Sequence, residues 1–407
     1  MADQLQTEDR DTPPSRRVLV VVRWPVGGIR TWCRYVYRRP QFDQYQIDLV
    51  IPEGAEAQTL AEDMSVSGLD INVIRTGPKL RQLALKASSL ILRGRYSLVH
   101  SHGFSSAAIC GLPCRIRGVP HLATIHEEIL ADQYRDLRGR VIRSTVNATL
   151  ARMDCVHAVS NASGDNLRSA FPGAARCRHG IRVVSNGIDS ERFLTATALP
   201  LRADLGLPAE TTLVGFFGRF MAPKGFRYLI EALRLHSERQ SPKRDLVVVA
   251  IGGGGFKREE EATVRSLGLG SKFVFLDFMA DIAGALKAVD VVAMPSLWEA
   301  SGLLAMEALT SGVPLVVSRA SGLAEVTAGT PAASVPVADA AALLEGILEM
   351  SSVEHKVAAR AFSQIAAERF DVGRARAQMA DIYDTLIAGR HDAVSPAKRG
   401  QLRRRGE

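Results

Sequence analysis

Short apolar runs recur along this chain at intervals that leave room for one helix between each pair, and this alternation restricts the fold more than any single residue does. A run of four to six Val, Ile and Leu residues without polar alternation reads as a strand buried on both faces, as happens where helices cover both sides of a parallel sheet. In the first half the runs fall at 18–22, 47–51, 71–74, 98–100, 121–125, 155–159 and 182–184; in the second they fall at 213–217, 246–251, 273–276, 291–294 and 314–317. The spacing predicts two doubly wound, Rossmann-like α/β domains, which suits 407 residues with 46% hydrophobic and 23% charged content.

The first domain is expected over 16–194 and the second over 195–370. Asn186-Gly187 supplies a turn signal between them, read as two residues that tolerate positive φ. A helix over 371–389 is placed to cross back to the first domain. Residues 1–15 read as a flexible tail and 390–407 as a basic one. Phe226, Leu229, Ile230 and Leu233, and again Met379, Ile382, Tyr383 and Leu386, recur at i, i+3, i+4 and i+7, the pattern of core-facing helix stripes.

Composition narrows the function. The five cysteines are odd in number and scattered, which fits reduced thiols in a cytoplasmic protein better than a disulfide framework. The first residues lack the basic-then-apolar order of a secretory signal, and no window approaches the roughly 18 apolar residues of a membrane span. The net charge of +8 would suit any anionic partner, but with 6% aromatic residues and no basic segment with interleaved aromatics, nucleic acid is disfavoured. The stretch 79–95 sets Lys79, Arg81, Lys86, Arg93 and Arg95 around Leu80, Leu83, Leu85 and Leu90 to Leu92, including Ile91. This is either a basic amphipathic helix for an anionic membrane surface or a helix packed on its own sheet with a solvated rim.

The chemistry concentrates between Gly218 and Glu307. The strand at 213–217 runs into Gly218-Arg219-Phe220-Met221-Ala222-Pro223-Lys224-Gly225, and a helix follows. Two cations five positions apart across one loop can converge on a diphosphate, with the flanking glycines permitting close backbone approach; alone, they could equally be solvated loop charges. After the strand at 291–294, Ser301 or Gly302 is expected to open a helix whose free N–H groups around Gly302, Leu303 and Leu304 favour anionic oxygens. Glu299 precedes that helix and Glu307 lies about two turns along it, so one carboxylate can address sugar hydroxyls and the other both ribose hydroxyls. Each glutamate alone could instead be an ordinary helix residue.

These residues resemble the retaining glycosyltransferases of family four. Gly218-Arg219 with Lys224-Gly225, the Glu299 and Glu307 pair, and Ser321-Gly322 with Glu325 each match the family pattern. The resemblance implies the GT-B architecture, two facing Rossmann-like domains with a cleft between them. It assigns the diphosphate of a nucleotide-sugar donor to Arg219 and Lys224, the ribose to Glu307, and the sugar or its phosphate to Glu299. The family's Gly-Phe-Gly after the first glutamate is replaced by Ala300-Ser301-Gly302, which loosens the sugar-side assignment. Gly27 and Gly28, in Val26-Gly27-Gly28-Ile29-Arg30 after the first strand, are then expected to approach the donor from the opposite wall. His126, at the end of the strand 121–125, resembles the family's active-site histidine, so the catalytic candidates are His126, Arg219, Lys224 and Glu299. His100 and His102 read as packed or capping residues. Gly252 to Gly255 form either a turn beside the nucleotide or a tight turn without ligand, and Phe275 to Met279 would meet the base.

The only Asp-x-Asp is Asp9-Arg10-Asp11 in the expected tail, so no metal is assigned and no cofactor is required beyond the donor. The implied partners are a nucleotide sugar and a saccharide or lipid-linked acceptor in bacterial polysaccharide or glycolipid assembly. The implied location is the cytoplasm, with a peripheral position on the inner face of the plasma membrane as the open question. The competing readings are a nucleotide-sugar epimerase, a sugar-phosphate transferase of the same architecture, and a non-catalytic GT-B-like binding protein.

Overall fold

The computed structural model of the chain describes residues 16–130, 133–239 and 244–394. The expected tails, except for 390–394, and Asp9-Arg10-Asp11 lie outside the described residues. Two all-parallel sheets form. The first contains β1 (Arg16–Val22), β2 (Tyr45–Pro52), β3 (Ile71–Thr76), β4 (Leu98–His102), β5 (His121–Ile125), β6 (Cys155–Ala158) and β7 (Ile181–Val183), in the order β3-β2-β1-β4-β5-β6-β7. The second contains β8 (Thr212–Phe217), β9 (Leu246–Ile251), β10 (Phe273–Leu276), β11 (Val291–Met294), β12 (Leu315–Ser318) and β13 (Ala333–Val335), in the order β10-β9-β8-β11-β12-β13.

Twelve strands coincide with the apolar runs, with ends moved by at most two residues. The exception, β13, is Ala-Ser-Val and is held at the sheet edge by pairing with β12, so it carries no apolar run to betray it. Central strands such as β8 and β9 are buried throughout, as two-sided helix cover requires. In each sheet the chain winds outward in both directions from a central pair, β1 with β4 and β8 with β11. Loops leaving the carboxyl ends of those strands diverge there and open a crevice.

The stripe Phe226, Leu229, Ile230 and Leu233 is buried against the second sheet. The last helix, Val372–Val394, runs past the expected end at 389. It begins where Ile188 and Asp371 pair, with Ile188 N–H donating to the Phe370 carbonyl at 2.8 Å and Val372 N–H donating to the Ile188 carbonyl at 3.0 Å. From there it packs on the first sheet's helical layer: Met379 and Tyr383 are fully buried, the Arg376 guanidinium donates to the Tyr35 carbonyl at 2.7 Å, and the Tyr45 hydroxyl donates to Asp384 at 2.8 Å. Gly187 does not adopt positive φ, contrary to the turn reading; it is glycine because an added Cβ would overlap the backbone of Phe370 and Val372 at this crossing. All five cysteines are free and buried. Among the described residues no helix is long and apolar enough to cross a membrane.

Candidate active site

Loops from the carboxyl ends of β1 and β5 face loops from β8, β9 and β11 across a cavity of about 440 Å3. Its lining includes Gly27, Gly28, His126, Gly218, Arg219, Lys224, Glu299, Gly302, Leu303, Leu304 and Glu307, so the catalytic and donor-binding candidates read from sequence all border one space.

The second-sheet wall is stitched through its backbone. Gly218 N–H donates to the Ile251 carbonyl at 3.0 Å, Phe220 N–H to the Gly253 carbonyl at 2.8 Å, and Leu297 N–H to the Pro223 carbonyl at 2.7 Å. Two glycines make this contact possible. A Cβ on Gly225, which sits at φ 65°, would overlap the Pro295 carbonyl oxygen, and one on Gly252 would overlap that of Gly218. The glycine run after β9 therefore serves loop-on-loop packing, while Gly252 and Gly253 also border the cavity. At Gly28 and Gly218 an added Cβ would meet no protein atom. Phe275, expected near the base, instead joins a ring cluster with Phe220 and Phe226 in the core; Phe278 and Met279 are the members of that segment that line the cavity.

Arg219 is exposed and carries no ion pair among the described residues. The place a Gly27 Cβ would occupy lies 3.9 Å from Arg219 Cδ, so the two walls meet here. Lys224 is not a separate cation: its Nζ is ion-paired with Glu299 Oε1, which also accepts from the Ser296 hydroxyl at 3.0 Å. Packing of Gly225 on Pro295 brings the two loops together, so the sequence reading that placed Lys224 and Glu299 on different parts of a ligand separates groups that are partners here.

Glu307 sits in the second turn of the helix Leu303–Thr310, whose N-cap, Gly302, adopts φ 67°. The side chain is only 7% exposed, and burial pushes its carboxyl up to about 7, against the opposing pull of Arg34, the Tyr35 hydroxyl and Arg192. Tyr35 OH donates to Glu307 Oε1 at 3.3 Å and accepts from the Arg34 guanidinium at 3.1 Å, a chain that crosses from the first domain's helix Gly27–Val36 to the second sheet's wall.

The Ala300-Ser301 departure has a structural setting. The Ala300 carbonyl accepts from the Ser160 hydroxyl at 2.5 Å, and Gly322 N–H donates to the Glu299 carbonyl at 3.0 Å, where a Cβ on Gly322 would overlap. Beside it, Glu325 reaches across to the helix Asn161–Ala170, accepting from the N–H groups of Asn161 at 3.1 Å and Ala162 at 2.8 Å and from the Asn161 amide at 2.9 Å. A carboxylate at a helix N-terminus fills orphan donors, here between two domains. Ser321 OH donates to Glu128 at 2.8 Å in the same seam.

His126 is the end of a buried chain of hydrogen bonds. His126 Nε2 lies 2.9 Å from His102 Nδ1, His102 Nε2 lies 3.1 Å from Tyr37 OH, and Tyr37 OH lies 2.8 Å from His100 Nδ1. His100 Nδ1 also meets Tyr383 OH of the last helix at 2.6 Å, and His100 Nε2 continues through Thr124 Oγ1 at 2.6 Å to His157 Nδ1 at 2.9 Å, whose Nε2 donates to the Val184 carbonyl at 3.1 Å. Because that carbonyl only accepts, His157 must be protonated on Nε2, Thr124 must donate to His157, and His100 must donate from Nε2. Burial holds His100, His102 and His126 well below the ordinary histidine range, so they are neutral. With Nε2 committed to His102, His126 has Nδ1 left for the cavity. His100 and His102 are packed, as the reading of packed or capping residues has it, but they also form this chain; the available signal was their i, i+2 spacing on β4, which puts both on one sheet face. Also missed were Tyr35, Arg34, Arg192 and Glu127, all of which but Tyr35 line the cavity. Burial raises the Glu127 carboxyl, with Arg23 opposing it.

Two family models match the chain: "Glycosyltransferase Family 4" over residues 26–192 and "Glycosyl transferases group 1" over residues 211–352. A 2-deoxystreptamine glucosyltransferase of Streptomyces kanamyceticus is 30% identical over 266 residues, covering 62% of this chain and 67% of the relative. The chain belongs to the group 1 glycosyltransferases. Among its relatives in that family, a D-inositol 3-phosphate glycosyltransferase of Saccharomonospora viridis is 29% identical over 245 residues; the chain spans only 56% of that protein's length. Anabaena HepE in complex with UDP-glucose superposes with a TM-score of 0.75 at 23% identity, covering 91% of this chain and 99% of HepE. WaaG, a glycosyltransferase involved in lipopolysaccharide biosynthesis, gives 0.69 at 16% identity, with 90% and 99% covered. This group 1 glycosyltransferase chain thus has the GT-B fold, and the cavity occupies the cleft between its two sheets.

Proposed function

We propose that this chain transfers a sugar from a nucleotide-diphosphate sugar to a saccharide or lipid-linked acceptor, with retention of anomeric configuration, in bacterial polysaccharide or glycolipid assembly. The observation that carries the reading is the convergence of Arg219, Lys224, Glu299, Glu307, His126 and the N-terminus of the helix Leu303–Thr310 on one inter-sheet cavity. Breaking the glycosyl–phosphate bond leaves charge on the departing diphosphate, and prefixed cations and helix amides stabilise that charge without reorganising. Arg219, with no ion pair among the described residues, and Lys224 take the diphosphate in this reading, while ionised Glu307 accepts the ribose hydroxyls. Neutral His126 offers Nδ1 to the sugar. Glu299, tied to Lys224 and Ser296, is held in place as a sugar-side acceptor; a same-face transfer assisted by the leaving phosphate is the mechanism we favour.

The structural neighbours solved with UDP or UDP-glucose make uridine donors the first to try on a panel screened by thermal stabilisation. With the donor known, Lys224→Ala and Glu307→Ala should each lower transfer by 100-fold or more, on the order of 3 kcal/mol of transition-state stabilisation, while leaving the protein folded. Wild-type rates in both would refute the assignment. The anomeric coupling in the product's proton spectrum tests retention, and conversion of the donor with no acceptor present would identify an epimerase instead. We place the reaction in the cytoplasm at the inner face of the plasma membrane, where a lipid-linked acceptor would be found.

A further inference from the structure

The helices Leu80–Arg93, Gly103–Arg117 and Leu137–Leu150 lie side by side on one face of the first sheet. Their inner residues, among them Leu83, Ile91 and Cys110, pack on Leu19, Val21 and Val99, and Leu150 packs on Ala123 and Ile125 of the same face. Their outer surface is unlike the rest of the molecule. The three helices contain eight Arg or Lys and no Asp or Glu, which equals the whole formal net charge of +8, so the remaining residues balance to zero. All eight cations are exposed, and none forms an ion pair among the described residues.

Between them stand large apolar side chains that no described residue covers. Leu85, Leu112, Ile116, Leu137 and Val141 are between 66% and 80% exposed. A solvated basic rim explains the cations but not five bare aliphatic side chains on the same layer.

We propose that this three-helix layer is a docking surface for an anionic lipid bilayer. Aliphatic side chains of this size enter the boundary between headgroups and acyl chains, while Arg and Lys meet the lipid phosphates, so one surface satisfies both features. Nucleic acid would use the cations and leave the Leu, Ile and Val side chains in water. The layer also adjoins the cleft: the chain leaves β5 at His126 and continues into the helix Leu137–Leu150, so a bilayer on this face lies beside the first-sheet wall of the cavity. The inference rests on the proposed reading of a lipid-linked acceptor and extends it from one basic helix to a defined three-helix face.

The test uses the full chain and co-sedimentation with phosphatidylcholine vesicles, with and without phosphatidylglycerol, at low and high salt. The chain should partition onto the anionic vesicles at low salt and leave them as salt screens the cations. The triple variant Arg138→Gln, Arg140→Gln and Arg143→Gln should lose roughly 100-fold in partitioning, about fivefold per cation. The pair Leu112→Ser and Ile116→Ser should lose at least about tenfold through apolar burial. These positions are exposed, so melting temperature should be unchanged, which shows that the variants are folded. Equal binding to neutral and anionic vesicles, undiminished binding by the triple variant, or equally tight retention on duplex DNA would each overturn the proposal. Nucleoside diphosphate binding measured by calorimetry keeps the two readings apart: a chain that binds vesicles but no nucleotide refutes the donor site alone, and the reverse refutes the surface alone.

Discussion

Replacing Glu307 by glutamine separates the two things that its burial does. Burial raises the carboxyl from its ordinary 4.5 to about 7, so the folded protein holds the proton more tightly than the unfolded chain. The resulting contribution favours folding below pH 4.5 and is lost as pH rises from 4.5 to 7, because over that window the unfolded chain releases a proton that the folded state retains. Between pH 5 and pH 8 the loss amounts to about 2.5 kcal/mol at 1.36 kcal/mol per pKa unit. A glutamine side chain keeps the shape and can still accept from Tyr35 OH, but it never ionises. In urea unfolding at the two pH values, the stability of Glu307→Gln relative to wild type should therefore rise by about 2.5 kcal/mol from pH 5 to pH 8. Nucleotide affinity should move the other way in wild type: if the ionised carboxylate accepts the ribose hydroxyls, binding tightens about tenfold from pH 6 to pH 8, and the variant stays weak and flat. A stability difference that does not change with pH would refute the burial argument. A pH-independent wild-type affinity would refute the ribose role.

The remaining expectations concern how the site is assembled. Gly225→Ala places a Cβ on the Pro295 carbonyl at positive φ and should cost more than about 1 kcal/mol in thermal unfolding. Glu325→Ala removes a cross-domain helix cap worth about 0.5–2 kcal/mol, so the cleft should open measurably in small-angle scattering and donor affinity should fall up to about tenfold. Unchanged scattering would show that the cap does not hold the cleft shut. Tyr383→Phe takes one of the two phenols from His100 Nδ1; the transfer rate should fall with donor KM unchanged, whereas a purely structural role would lower the melting temperature and leave the rate of the folded enzyme intact.

The parallel sheets were legible because strands covered by helices on both faces are largely apolar, and twelve of the thirteen coincide with an apolar run. β13 was not, since a three-residue edge strand is specified by its neighbour rather than by its own side chains. The cavity residues were legible for a related reason: each follows a strand's carboxyl end, and doubly wound sheets bring those ends together. Partnerships were not legible. Lys224 and Glu299 are 75 positions apart, Tyr35 and Glu307 are 272 apart, and His100 and Tyr383 are 283 apart. No local periodicity encodes such pairs, and each changes the chemistry assigned to its members. Gly187 shows the same limit, because glycine was read as conformational freedom where the structure needs it for close backbone approach.

These long-range pairs also determine how the site responds to domain movement. Glu307, the proposed ribose acceptor, is held by Tyr35, on a first-domain helix that the last helix secures through Arg376 and the Tyr35 carbonyl. The proposed sugar-side segment is held by Ser160, whose hydroxyl donates to the Ala300 carbonyl, while Glu325 caps the helix Asn161–Ala170 that follows Ser160. His126 is supported from yet another side, through His102, Tyr37 and His100 to Tyr383 and the Val184 carbonyl beside the inter-domain linker. Opening the cleft would therefore break the Glu307 and Ala300 contacts together and leave His126 in place, because all but one member of its chain belongs to the first sheet and its helices and the last, Tyr383, travels with them. In the proposed function the histidine is therefore a fixed feature of the first-domain wall, whereas the Glu307 and Ala300 contacts form only when the domains close.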